Sequence, residues 1–120
     1  MKIISDKITI EEIKSMTETL FGSMVKAVVD IEKEIMAIDG ELHSDEEAML
    51  LKNGSSQDNL WGINIYPDLP INERIEFDSM INLKPRLGNR TRNVDDPFVR
   101  DKITKIINML IKNEPNAQKS

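Results

Sequence analysis

The chain has 120 residues, a net charge of −5 and no cysteine, and 39% of its residues are hydrophobic and 31% charged. These values are typical of one globular domain, and they exclude a disulfide framework, thiolate zinc ligands and a cysteine nucleophile. The acidic balance argues against a general nucleic-acid coat, and no apolar run approaches the roughly 20 residues of a membrane helix. We therefore expect a cytoplasmic protein without a membrane segment, with residues 1–114 as a single domain and residues 115–120 as a disordered tail.

The first half of the chain opens with a possible short strand over residues 2–4, followed by a helix over about residues 10–21. Thr9 and Glu12 have the spacing of a capping box, in which each residue satisfies a backbone N–H of the other. Residues 24–32 and 34–42 then alternate between apolar and polar positions, which predicts two strands. A single helix across both stretches is the rival interpretation, but their β-branched residues favour strands.

A second helix is predicted to begin at Ser44, because Ser44 and Glu47 repeat the capping-box spacing. Asp45, Glu46 and Glu47 would then occupy its first turn, where the helix dipole favours negative charge. Two further strands are expected over residues 59–67 and 74–85. The last helix is predicted to start with Asp96 as N-cap and Pro97 at the first helical position.

This order of elements, α-β-β-α-β-β-α, predicts an α+β fold. We expect two β-hairpins to form a four-stranded, mainly antiparallel sheet, with the helices packed on one face. Four stretches also resemble a small prokaryotic family of single-domain proteins of unknown function: residues 24–51, residues 60–68, residues 75–97 and the closing helix. The resemblance covers about residues 1–112. It implies a compact domain and carries no catalytic residues.

Strand alternation suggests that one face of the predicted sheet is acidic. Its members would be Asp30, Asp39, Glu41, Glu76 and Asp78, and His43 would follow in phase. Carboxylates with an imidazole suit a divalent metal, so Asp39, Glu41, His43 and Asp78 are candidate ligands of a hydrolytic site. The spacing matches no known metal motif, and a solvated polar face explains the same pattern without any metal.

A loop of four basic residues and no acidic one runs from Lys84 to Arg92, just before the last helix. Arginine side chains bind phosphates and carboxylates bidentately, and binding sites are common in such loops. The candidate ligand-binding residues are Arg86, Asn89, Arg90 and Arg92. The alternative is that the arginines pair with the acidic sheet face, either internally or across a dimer.

The leading hypothesis is a binding or interaction module without a cofactor, which uses the arginine loop for an anionic small molecule or a protein partner and forms a homodimer. The first alternative is a metal-dependent, hydrolase-like enzyme that uses the acidic face and His43. The second is a regulatory protein that binds RNA or DNA, although no aromatic residues are interleaved with the arginines for base stacking. The sequence favours a protein that is not an enzyme, and it does not indicate a substrate.

Overall fold

A five-stranded antiparallel sheet lies at the centre of the fold in the computed structural model, which describes residues 1–112. In chain order the elements are β1 (Lys2–Ile4), β2 (Ile8–Thr9), α1 (Ile10–Thr19), β3 (Val25–Asp30), β4 (Ile35–Gly40), α2 (His43–Lys52), β5 (Leu60–Ile65), β6 (Ile75–Glu76), α3 (Pro97–Leu110) and β7 (Ile111–Lys112). The strand order is β1-β4-β3-β5-β6, and β2 pairs with β7 in a separate parallel ribbon. The predicted tail at residues 115–120 lies outside the described residues.

The α+β class and the two antiparallel pairings are confirmed, but the prediction of four strands with helices on one face is wrong. The sheet has a fifth strand, because β1 pairs with β4 along its outer edge. Helices α1 and α3 cover one face with a large apolar cluster, and α2 covers the other face with a smaller one. The smaller cluster contains Val28, Ala37, Leu50 and Leu60, so both faces of the central strands are buried.

The first and last helices begin where the sequence predicts. Thr9 accepts a hydrogen bond from the Glu12 amide at 3.1 Å, and Glu12 accepts one from the Thr9 amide at 3.5 Å, which completes the capping box. Asp96 accepts from the Phe98 amide at 2.9 Å, and Pro97 follows at the first helical position. None of the helices in the described part of the chain is long and apolar enough to cross a membrane.

The fourth predicted strand, residues 74–85, is wrong beyond its first few residues. Only Ile75–Glu76 pairs with β5, and a short 3₁₀ turn follows at Met80–Asn82. The side chain of Asn82 takes the place of a strand partner: its Oδ1 accepts from the Gly62 amide at 2.8 Å and its Nδ2 donates to the Gly62 carbonyl at 3.0 Å. The edge of β5 is therefore satisfied by one carboxamide instead of a longer strand.

Candidate functional site

A cleft of about 720 Å³ opens between the end of α1, the end of β4 and the exposed side of α2. Its walls combine three carboxylates with apolar side chains and one base: Met1, Thr19, Leu20, Asp39, Gly40, Glu41, Asp45, Ala48, Met49 and Lys52. A smaller cavity of about 290 Å³ continues it and shares Leu20, Glu41 and Asp45. We call this region the acidic cleft; its volume is in the range of small-molecule sites, and it is broad and open to solvent.

A β-bulge at the end of β4 gives the acidic cleft its shape. Lys26 pairs with Gly40 while Ala27 pairs with Ile38, so Asp39 has no partner of its own on β3. Asp39 has φ of 70°, a left-handed conformation that Asp tolerates better than most residues. The bulge leaves Asp39 half-buried in the cleft wall, and its Oδ1 is buried without a hydrogen-bond partner among residues 1–112.

The carboxyl of Glu46 lies directly behind the cleft wall. Glu46 is 0% exposed, and its Oε2 accepts a hydrogen bond from the Gly40 amide at 2.8 Å. A Cβ at position 40 would lie 2.8 Å from the Glu46 Cγ, so only glycine lets the two approach so closely. The second oxygen, Oε1, is buried and has no partner within the described residues.

Burial raises the pKa of Glu46 to about 9, because a carboxylate is poorly stabilised away from water. The hydrogen bond from Gly40 and the charge of Lys26 lower the pKa, and the charge of Asp39 raises it further. Glu46 is therefore protonated at neutral pH. A buried, unpaired carboxyl with a shifted pKa beside a cleft is a feature that clusters at functional sites.

His43 lies elsewhere, under the sheet. It is 8% exposed and its Nε2 is 2.7 Å from the carbonyl oxygen of Ile63, with which it forms a hydrogen bond. Burial lowers the pKa of His43, so the neutral ring is favoured and Nε2 is the donor. His43, Glu46 and Leu50 form the buried stripe of α2. The structure thus places His43 in packing and not in the lining of the acidic cleft with Asp39 and Glu41.

The four candidate metal ligands are not brought together. Asp39 and Glu41 line the cleft, His43 is packed under β5, and Asp78 pairs with Arg92 at 2.6 Å. Within residues 1–112 no group of three or more His, Cys, Asp or Glu side chains is placed to hold a metal ion. The expected acidic sheet face is also wrong for Asp30, which is 1% exposed and accepts from the amides of Glu32 and Lys33 in the β3–β4 turn.

The arginine loop is well ordered around the buried side chain of Asn89. Its Nδ2 donates to the carbonyls of Asn82, Thr91 and Asn93, and its Oδ1 accepts from the Asp95 amide at 2.7 Å. All of its amide atoms are therefore used inside the protein. Asn89 holds the loop in shape and has no atom left for a ligand.

The three arginines of the loop differ in their partners. Arg86 forms an ion pair with Asp58, and Arg92 forms one with Asp78. The guanidinium of Arg90 is exposed and has no partner among the residues that the structure describes, while its backbone amide donates to Asp95. Phe98, at the start of α3, is 84% exposed nearby in the chain. The loop thus presents one unpaired cation on a rigid support.

A family model described as a protein of unknown function, DUF5674, matches residues 2–110. The chain belongs to this family. No curated protein and no solved structure gives a significant match. Membership of DUF5674 agrees with the whole-chain resemblance to a family of unknown function, and it transfers no residue roles to the cleft or to the loop.

Glu46 is the residue that the sequence interpretation missed. The capping-box spacing gave it a role with the dipole in a first turn that starts at Ser44, but α2 begins at His43 with Leu42 as an uncapped N-cap. Sequence offers one signal for the correct phase: positions 43, 46 and 50 share a helix face, and Leu50 is apolar. A charged residue on an inward face is easily discounted, because acidic residues are seldom fully buried.

Proposed function

We propose that this protein is a binding protein whose ligand is an organic cation, held in the acidic cleft. The observation that carries the proposal is the pair of buried, unpartnered oxygens in and behind one wall, Asp39 Oδ1 and Glu46 Oε1. Buried polar atoms normally have partners, and an unpartnered oxygen in the wall of a cavity, such as Asp39 Oδ1, suggests that a bound group supplies one. Asp39 belongs to the cleft lining itself, so it is the expected first contact.

The charge and polarity of the walls support a cation with an apolar part. Asp39, Glu41 and Asp45 outnumber two cations, Lys52 and the amino group of Met1, so the potential in the cleft is negative. Leu20, Ala48 and Met49 offer apolar contact beside these charges, and an alkyl chain would bury surface there. A guanidinium suits the carboxylates well, because it donates two parallel hydrogen bonds.

The proposal is tested by thermal unfolding in the presence of hexylguanidinium, with 1-hexanol and hexanoate as probes of the same chain length and different charge. Saturation at about 100 times the dissociation constant stabilises a fold by about 2.7 kcal/mol, which is a shift of several degrees for a domain of this size. We expect the shift with hexylguanidinium, its loss in Asp39→Asn and its retention in Glu73→Gln, an exposed acid outside the cleft lining. Equal shifts with hexanol, or an unchanged shift in Asp39→Asn, would contradict the proposal.

A second candidate is the predicted role of the arginine loop in binding an anionic ligand or partner. It is favoured by the Asn89 hydrogen bonds, which fix the loop, and by the exposed guanidinium of Arg90. The ion pairs of Arg86 and Arg92 weigh against it, since two of the three charges already have partners. Stabilisation by inorganic phosphate or short RNA that is lost in Arg90→Ala and kept in Lys102→Ala would support it.

The metal-dependent hydrolase, the homodimer, the cytoplasmic location and the prokaryotic origin are proposals as well. A metal-dependent hydrolase is the weaker one, because His43 already bonds Ile63. The homodimer is supported only by scattered exposed apolar side chains such as Met80 and Phe98. Sedimentation equilibrium of the purified protein tests it directly. The cytoplasmic location and the prokaryotic origin rest on composition and on the resemblance.

A further inference from the structure

Glu46 is placed to respond to whatever enters the acidic cleft. Gly40 and Asp39 line the cleft, and the Glu46 carboxyl accepts the 2.8 Å hydrogen bond from the Gly40 amide. The Cγ and Oε2 of Glu46 lie 2.8 and 3.1 Å from the position that a Cβ of Gly40 would take. Only the backbone of one glycine therefore separates this carboxyl from the lining.

Three charged groups from three different parts of the chain lie near the Glu46 carboxyl. They are Lys26 on β3, Asp39 on β4 and the amino group of Met1 before β1. None of them forms an ion pair with Glu46 within the part of the chain that the structure describes: the ion pairs there join other residues. The carboxyl is therefore neutral by burial and has no fixed counter-ion.

We propose that Glu46 exchanges its proton for the positive charge of a cleft ligand. When a cation lies beside Asp39 and Gly40, it supplies the missing counter-charge for Glu46 at short range. The O–H bond of the Glu46 carboxyl then breaks and the proton passes to a buffer base. The resulting carboxylate is stabilised by the charge of the cation across Gly40. This inference rests on the proposed function, and it adds that binding is linked to the release of one proton.

The linkage makes the affinity depend on pH in a defined direction. Burial holds the pKa of Glu46 at about 9, so one proton leaves for each cation bound well below that pH. Affinity should then rise about tenfold for each pH unit between about pH 7 and 8, as for any one-proton release. A guanidinium keeps its own charge throughout this range, so the probe does not titrate.

The experiment is calorimetric titration of the full chain with hexylguanidinium at pH 7 in phosphate and in HEPES, two buffers with different ionisation enthalpies. The difference in observed heat counts the protons released. We expect about one proton per bound probe in the wild-type protein, about one in the control Glu47→Gln on the same helix, and none in Glu46→Gln. The tenfold rise in affinity at pH 8 should likewise disappear only in Glu46→Gln.

The outcomes separate the two proposals. Binding of the probe with no proton release in the wild-type protein would overturn the role of Glu46 and leave the cleft as the binding site. No binding in any buffer would overturn both. If Glu46→Gln does not fold, the ¹³C shift of the Glu46 carboxyl in the wild-type protein, recorded with and without the probe, shows whether this carboxyl loses the proton; an unchanged shift would overturn its role.

Discussion

The buried carboxyl of Glu46 links the stability of the fold to alkaline pH. Its pKa is about 9 in the folded protein, against a usual value of 4.5, so the folded chain keeps a proton that the unfolded chain loses. The stability that this proton supports is fully present below about pH 4.5, declines as the pH rises above it, and is lost once the pH passes about 9.

We therefore predict that Glu46→Gln is more stable than the wild-type protein at pH 8. One pKa unit corresponds to about 1.4 kcal/mol of folding free energy. We expect a gain of about 3 kcal/mol, which is less than the full pKa shift would give, because a buried site relaxes and the amide of glutamine leaves a donor unpaired. Urea unfolding at several pH values checks it, with Glu47→Gln as the control on the same helix. Equal stability of wild-type and Glu46→Gln proteins from pH 6 to 9 would show that the carboxyl is not protonated in the fold.

His43 should make the stability of the fold depend on pH in the acidic range, and in the opposite direction: stability falls as the pH falls. Burial lowers its pKa from the usual 6.5, so the folded chain resists the proton that the unfolded chain takes up. Stability is then lost as the pH falls below about 6.5. We predict that His43→Gln, whose amide can still donate to the Ile63 carbonyl, loses less stability between pH 7 and 5 than the wild-type protein. A steeper loss in His43→Gln, measured by urea unfolding, would contradict this.

At the scale of the elements, α2 is the helix whose start the sequence does not predict. Its N-cap is Leu42, which is 56% exposed, has an extended backbone and offers no side-chain hydrogen bond. The capping-box pattern at Ser44 does not determine where α2 starts. The burial of His43 and Leu50 outweighs it, because tertiary packing overrides a local signal of about 1 kcal/mol. Where pattern and packing agree, as in α1 and α3, the predicted starts are confirmed.

We predict that Leu42→Ser stabilises the protein by about 0.5 to 1 kcal/mol, because the new hydroxyl can accept a hydrogen bond from the first turn of α2. The matched change at the capped helix α1, Thr9→Ala, removes an existing bond and should cost about 1 kcal/mol. Thermal unfolding of both variants measures the pair. A destabilised Leu42→Ser would mean that the leucine side chain contributes more by packing than a cap would.

Beyond the short β6, the side chain of Asn82 satisfies the backbone of β5. Asn82 is fully buried and bonds both backbone groups of Gly62 and the carbonyl of Arg92. We expect Asn82→Ala to cost about 2 to 3 kcal/mol, since it leaves a buried amide and carbonyl unpaired. The exposed Asn72→Ala should change stability by less than about 0.5 kcal/mol. Similar losses in the two variants would contradict the role of Asn82 as a strand substitute.

At the scale of the whole molecule, the sequence predicts the class, the central hairpin and two helix starts, because each has a local periodic or capping signal. It does not predict the second covered face, since Val28 and its strand partner Ala37 share that face of the sheet with polar residues such as Lys26 and Asp30. Asp30 is buried by a turn that its own carboxylate caps, and no local pattern separates that role from a solvated one.

The candidate site shows the same division. Asp39 and Glu41 follow from strand alternation and do line the cleft. His43 and Glu46 differ from their predicted roles: the histidine, a candidate metal ligand, is packed under the sheet, and the carboxyl expected to favour the helix dipole in the first turn is buried beside the cleft. α2 begins at His43, so this residue does not continue β4, and positions 43, 46 and 50 form the buried face of the helix.

Cation binding in the acidic cleft is tested most directly by an NMR titration of the ¹⁵N-labelled protein with hexylguanidinium, with 1-hexanol as the reference for apolar contact alone. We predict saturable shifts of the backbone amides of Asp39, Gly40, Glu41, Asp45 and Met49, with the loop from Lys84 to Arg92 unmoved. Shifts confined to that loop, or the same shifts with hexanol, would contradict the claim that the acidic cleft binds a cation.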